Sequence, residues 1–290
     1  MSQFSALIDD TWILEGCRTP FIDYCGAFGT LSPTDMGIKV AREALARSGV
    51  AATAIESVIA GSMAQADFDA YMLPRHIGLY AGVPIATPST LAQRICGTGF
   101  ELFRQAADQI ALGYARTALV VGTESMTRNP IAAYTHRSGF RLGAPVEFKD
   151  FLWEALDDPA ARVSMIQTAE NLARRYGITR PEVDAYASQS QARALAAQER
   201  GLFDEEIVTV DNEVLALEGY EPRAIRLPRK TAAQSRDTHP RHSPVEVLAG
   251  LRPVYEGGVQ TAGNSSALVD GAAAAVVVHG GYLREHGLHA

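Results

Sequence analysis

Residues 93–101 read QRICGTGFE: a single cysteine, then Gly97-Thr98-Gly99, then the first residues of an apolar helical pattern. Upstream, STLAQRI (89–95) has the texture of a strand. Downstream, Phe100, Phe103, Ala107 and Ile110 fall on one helical face. The stretch predicts a strand, a tight turn and a helix, with Cys96 at the turn. In such a turn the first free N–H groups and the positive end of the helix dipole point at whatever sits there, which favours a thiolate. Gly97 and Gly99 let the backbone turn tightly and let a substrate approach. The chemistry implied is acyl transfer through a thioester. The competing reading is a small hydrophobe filling a close-packed corner.

On both sides the chain alternates strand and helix signals. WILEG (12–16), SVIAG (57–61) and TALVVG (117–122) read as strands, and LPRHIGLYAG (73–82) as a short helix. SPTDMGIKVAREALARSG (32–49) is a punctuated helix, with Ser32 as cap, Pro33 in the first turn, Asp35 completing a capping box and Gly49 as terminator. Residues 128–165 are irregular and rich in Gly, Pro and aromatics. Helical stretches follow at about 165–176 and 181–200, the second opened by Thr179 and Glu182 and closed at Gly201. After a loop-like 202–250, residues 257–281 predict a glycine-rich turn, a small-residue helix and the strand AAAAVVV. Strands alternating with helices imply βαβ units around a largely parallel sheet. The expected organisation is one α/β domain, residues 1–125 and 247–290, interrupted by an inserted loop domain at 126–246. Two sequential domains are the alternative, and they leave the last strand without partners.

Composition narrows the function. A net charge of -7 argues against non-specific nucleic-acid binding. Three cysteines with no CxxC pair suit a reducing compartment, so a cytoplasmic location is expected. MSQFSALIDD lacks a basic region before any apolar run, and neither a secretory signal nor a membrane span is expected. No Cys, His or carboxylate spacing predicts a metal site, and a lone GTG is no dinucleotide fingerprint.

Four further stretches bear on Cys96. CRTPF (17–21), GTESMTRNP (122–130), SMIQTAENLARRYGITR (164–180) and LRPVYEGGVQTAGNSSALVDGAA (251–273) resemble the thiolase family, in its order and at its approximate spacing around QRICGTGFE. The resemblance covers nearly the whole chain and is to the N-terminal half of a thiolase of the acetyl-CoA acetyltransferase or 3-ketoacyl-CoA thiolase type. It implies a βαβαβαββ half with a mixed sheet, interrupted by a mainly helical loop domain that binds coenzyme A. It makes Cys96 the nucleophile, its own N–H helping to hold an oxyanion. By the same resemblance Met165 lines the acyl pocket, Ser266 contacts the pantetheine chain and Arg241 lies near the nucleotide. Coenzyme A thioester is then a substrate, with no permanently bound cofactor. From the residues themselves, Arg223, Arg226, Arg229, Lys230, Arg236 and Arg241 form a basic stretch suited to phosphates, or a solvated polar loop.

The family's second half supplies a GHP histidine, a second reactive cysteine and a water-orienting asparagine, none of which stands in these 290 residues. The resemblance therefore implies that the C-terminal half is absent, through truncation, incomplete representation of a longer chain, or a split enzyme. Ser164 stands where some biosynthetic members have histidine. Cys17 and Cys25 are expected to be structural, Glu124 and Met126 to shape a turn, and Asn264 and Asp270 to hold one. Three functions are carried forward. The first is an acyltransferase that acylates Cys96 and runs a Claisen condensation or its thiolytic reverse, as a homo-oligomer. The second is a non-catalytic or partner-dependent coenzyme A-binding subunit of a split thiolase. The third is a cysteine hydrolase, which needs a His and an Asp or Asn near Cys96.

Overall fold

A strand buried on both faces reads as a near-continuous apolar run, and SVIAG does: all five residues of the strand Ser57–Gly61 are buried, Ser57 being its one polar side chain. In the computed structural model, which describes residues 10–290 other than 65, 66 and 135, this strand lies inside a mixed sheet. The N-terminal stretch read for a leader, residues 1–9, lies outside the described residues. The strands are β1 (Thr11–Arg18), β2 (Ile22–Asp23), β3 (Ser57–Gly61), β4 (Ser89–Leu91), β5 (Thr117–Ser125) and a long return strand, Val269–His279. Their order is β1, return strand, β5, β3, β4, with β2 beside the return strand. β3 runs parallel to β4 and β5, and the return strand runs antiparallel to β5 and β1. Its register sets Ala274 opposite both Cys17 and Val121.

Three helices complete the βαβαβαββ order: α1 (Pro33–Ser48), α2 (Leu73–Tyr80) and α3 (Thr98–Ala111). Ser32, Pro33 and Gly49 act as predicted, whereas the Asp35 carboxylate, expected to complete a capping box, accepts from the Ser32 hydroxyl at 2.8 Å and from Arg223 at 2.6 Å. The Ser32 hydroxyl accepts from the Asp35 N–H at 3.0 Å, and Gly49 ends the helix at φ +70°. Alternate strand residues face opposite layers. Val58, Leu119, Val121 and Val276 pack with α1 and α2, whereas Ile59, Val120 and Val277 pack with Leu102, Ala106 and Ile110 of α3. The buried stripe of α3 is therefore not the one expected from Phe100, Phe103 and Ala107: Phe100 is exposed. Gly61 explains the rotation, because a Cβ there would run into the Thr98 methyl, so the first turn of α3 is seated directly on the end of β3.

The contacts divide the chain into two units, residues 1–128, 205–236 and 270–290 in the first, and 129–204 and 237–269 in the second. Two segments thus lie on the other side of the expected boundaries. Residues 205–236 join the sheet unit rather than the insertion, because Val210, Leu215 and Ile225 are buried in its core. Polar anchors add to this. Lys39 pairs with Glu213 at 2.6 Å, and the Arg223 guanidinium pairs with both Asp35 and Asp69 at 2.6 Å. Arg223 is therefore not a free member of the basic stretch. Residues 247–269 join the second unit.

In the second unit, the helix Met165–Tyr176 starts with a Ser164–Gln167 capping box, and Arg180–Glu199 with the Thr179–Glu182 box. The Glu170 carboxylate accepts from the N–H groups of Val259 and Gln260, at 2.9 and 2.7 Å. The small-residue helix expected near TAGNSSAL is a turn instead. Asn264 accounts for it: its Oδ1 accepts from the Thr261 N–H at 2.7 Å, while its Nδ2 donates to Asp184 at 2.8 Å and to the Val259 carbonyl at 2.9 Å. Among the described residues no helix is long and apolar enough to cross a membrane.

Replacing Arg223 by methionine leaves two largely buried carboxylates without their cation. The expected loss is about 3 kcal/mol in urea denaturation; a loss below about 1 kcal/mol would place the pair with ordinary surface ion pairs.

Candidate active site

The strand before Cys96 ends early. β4 stops at Leu91, and residues 92–97 form the turn into α3. Cys96 stands immediately before Gly97, the N-cap of a 14-residue helix, so the free N–H groups and dipole of α3 open next to the thiol. The side chain of Thr98 ties the turn together, accepting from the Arg94 N–H at 2.8 Å and donating to the Ile95 carbonyl at 2.7 Å. The left-handed residue of the turn is not a glycine. Gly97 sits at φ -85°, whereas Ile95 is held at φ +48°, a position that a β-branched side chain rarely occupies. Strain of this kind persists only where surrounding bonds fix it. Around Gly99 a Cβ would meet nothing, which leaves the approach to the helix start open from outside.

Cys96 is exposed and lines a cleft of about 330 Å³ with Phe21, Ser62, Met63, Thr123, Glu124 and Met126 among its walls. Its floor comes from the C-terminal ends of β3 and β5 and the start of the return strand, through Gly61, Gly122 and Gly271. Gly271 is required here, because a Cβ would overlap the Phe21 ring. The Arg18 guanidinium sits 4.7 Å from the centre of the same ring. Among the described residues that line the cleft none is a histidine.

Glu124 does more than shape a turn. Its Oε2 accepts from the Met63 and Ala64 N–H groups at 2.6 and 3.2 Å and from the Ser62 hydroxyl at 3.1 Å. Burial pushes its carboxyl above the usual range, and those same donors pull it back. Glutamate at a strand end is visible in the sequence, but its partners 60 residues away are not. Asp270 and Asn264 have the structural roles expected of them. Asp270 is fully buried and accepts from the Thr127 N–H and hydroxyl at 3.0 and 2.6 Å.

The other expected site residues belong to the second unit. Met165 is the first residue of its helix, with half of its surface exposed. Ser266 is exposed and lines a cavity of about 490 Å³ with Tyr186, Gln191 and Asn264. The Arg241 N–H donates to the Gln191 side chain at 3.0 Å, so Arg241 and Ser266 share Gln191 as neighbour. The Arg241 guanidinium lies beside the His239 ring, at 3.4 Å.

The three cysteines are free, and only Cys17 is buried. Its Sγ donates to the Val40 carbonyl at 3.3 Å, and burial raises its pKa from 9.0 to about 12. Because the folded value lies above the unfolded one, that contribution to stability is complete below about pH 9 and is lost as pH rises through 12. Iodoacetamide at pH 8 is expected to label Cys25 and Cys96 in the native protein, and Cys17 only after unfolding. Native labelling of Cys17 would contradict its buried placement.

Residues 11–280 match the family described as thiolase, N-terminal domain. The chain is 35% identical over 283 residues to the mitochondrial 3-ketoacyl-CoA thiolase of Bos taurus, spanning 97% of this chain and 68% of that one. It superposes on the crystal structure of human mitochondrial 3-ketoacyl-CoA thiolase with a TM-score of 0.90 at 33% identity, covering 98% of this chain and 69% of that one. For the same human enzyme in complex with CoA the TM-score is 0.88 at 33% identity, covering 96% and 67%. The chain thus spans about two thirds of the length of these relatives.

Proposed function

Because the chain belongs to the thiolase family, we propose that it is a coenzyme A-dependent acyltransferase whose nucleophile is Cys96. The observation that carries this role is the placement of an exposed thiol at the start of α3, in a cleft floored by glycine. The Cys96 thiolate attacks the thioester carbonyl, a new C–S bond forms, and the developing oxyanion meets N–H groups at the helix start. Collapse breaks the old C–S bond, and coenzyme A leaves as its thiolate. In condensation the acyl group then passes from Cys96 to the carbanion of a second thioester, the new C–C bond forming as the C–S bond to Cys96 breaks. Thiolysis is the reverse: Cys96 attacks the 3-keto carbonyl of a 3-ketoacyl-CoA, the C2–C3 bond breaks, the leaving thioester carbanion takes a proton, and the coenzyme A thiol then takes the acyl group from Cys96.

Coenzyme A is held by the second unit, with Ser266 toward the pantetheine chain, Arg241 toward the nucleotide and Met165 toward the acyl group. Support comes from the relative solved with CoA and from the exposure of all three side chains. Arg229 and Lys230 of the basic stretch are also exposed. The acyl groups are those of fatty-acid intermediates, the protein acts as a homo-oligomer, and three unpaired cysteines favour the cytoplasm.

The absence of histidine from the Cys96 cleft favours a second reading, in which the chain binds coenzyme A and turns over only with a partner that supplies the proton acceptor. General-base transfer is worth about 10²–10⁴ in rate.

Incubation with acetyl-CoA, intact mass and peptide mapping separate the two. Acetylation confined to Cys96, and lost in Cys96→Ala, is the expected result. Acetylation retained in Cys96→Ala would overturn the assignment. Coenzyme A binding without acetylation would select the partner-dependent reading.

A further inference from the structure

The turn that carries Cys96 is strained at Ile95, and something outside the turn has to hold it. The side-chain amide of Gln93 donates to the Met63 carbonyl. The N–H of Ala64, in the same peptide group as that carbonyl, and the N–H of Met63, in the preceding one, donate in turn to Glu124 Oε2, joined by the Ser62 hydroxyl. Glu124 Oε1 accepts from the Ser125 N–H at 3.1 Å. Three of these donors crowd onto Oε2 and one reaches Oε1, so the carboxylate that lines the cleft is committed chiefly to backbone N–H groups. It fixes residues 62–64 to the end of β5, and with them the carbonyl that anchors Gln93.

We propose that Glu124 is a positioning residue for the nucleophile, acting through the Met63 carbonyl and the Gln93 amide to hold the Gln93–Gly97 turn in its strained form. This rests on the acyl-transfer reading and deepens it. The half-buried carboxylate secures the backbone of one loop, that loop secures one exposed amide, and the amide secures the turn on which the thiol rides. Gln93 contributes through a single polar contact from an exposed position, so removing it costs little packing.

The test is a double-mutant cycle on the whole chain. Glu124→Gln places an amide NH₂ against N–H donors, and Gln93→Ala removes the last link to the turn. Three quantities are measured: the limiting rate and half-saturating concentration for acetylation of Cys96 by acetyl-CoA, the rate of Cys96 alkylation by iodoacetamide, and stability in urea. Each single variant is expected to lower the limiting rate by on the order of 10²-fold, the effect of a misplacement of about 1 Å. The half-saturating concentration stays unchanged, and alkylation slows in the same order. The double variant is expected to be no slower than the slower single one, because both act along one path. A wild-type rate for Glu124→Gln, or losses that multiply in the double variant, would overturn the proposal. If Glu124→Gln does not fold, Gln93→Ala decides alone, and a wild-type rate there overturns it. If even the wild-type chain is not acetylated, the acyl-transfer reading fails, while the alkylation rates still decide whether Glu124 positions the thiol.

Discussion

The sheet closes only when the chain comes back. Val269–His279 lies between β1 and β5 and pairs with both, so the two strands that open and close the N-terminal run of elements share no ladder of their own. The Thr19 hydroxyl accepts from the Ala272 N–H across 253 residues, and Thr127 meets Asp270 across 143. Loop-closure entropy has to be met before such contacts stabilise anything. The composition of the return strand answers that demand. Ala272, Ala274, Val276 and Val278 face the α1 and α2 layer, while Val277 faces α3, so both faces bury apolar surface as the strand docks.

The same return builds the site. Gly271 must be small because Phe21 packs on it, and Ala272 and Ala273 continue the floor of the Cys96 cleft. Asp270, at the entrance of the strand, holds Thr127, and the Thr127 hydroxyl accepts from the Cys25 N–H at 2.9 Å. Cys25 itself is at φ +59°, so this bond steadies a second left-handed residue near the strand ends. Completion of the sheet and shaping of the cleft thus rest on the same packing, and Cys96 is seated where the last strand of the chain begins.

Much of this was legible in the residues and some was not. Ser32, Pro33 and Gly49 declared α1 because caps are local chemistry. SVIAG declared a strand through its short apolar run, and the structure adds that all five of its residues are buried. Cys96 declared itself through glycines and an emerging helix, yet the strain lies at Ile95, where nothing in an isoleucine announces a positive φ. The rotation of α3 was misread because Phe100 and Phe103 outweigh Leu102 in any count of apolar spacing, while the Gly61–Thr98 approach that sets the rotation joins residues 37 positions apart. Within the basic stretch, Arg223 departs from its neighbours for a similar reason. Arg223 looks like its neighbours in sequence, but Asp35 and Asp69, which neutralise it, lie far along the chain.

The two half-reactions place unequal demands on the residues present. Attack of a thiolate on a thioester needs no proton removed during the step itself, and coenzyme A departs as a thiolate. In the proposed reaction an exposed thiol at a helix N-terminus, N–H groups for the oxyanion and a glycine floor serve that exchange. Condensation is different, because a carbon acid must lose a proton before any carbon–carbon bond can form. Among the described residues that line the cleft, Glu124 is the carboxylate, with Oε2 held by three donors, and none is a histidine. In the proposed reaction Cys96 captures the acyl group, and the carbon–carbon step calls for a base that deprotonates the carbon acid.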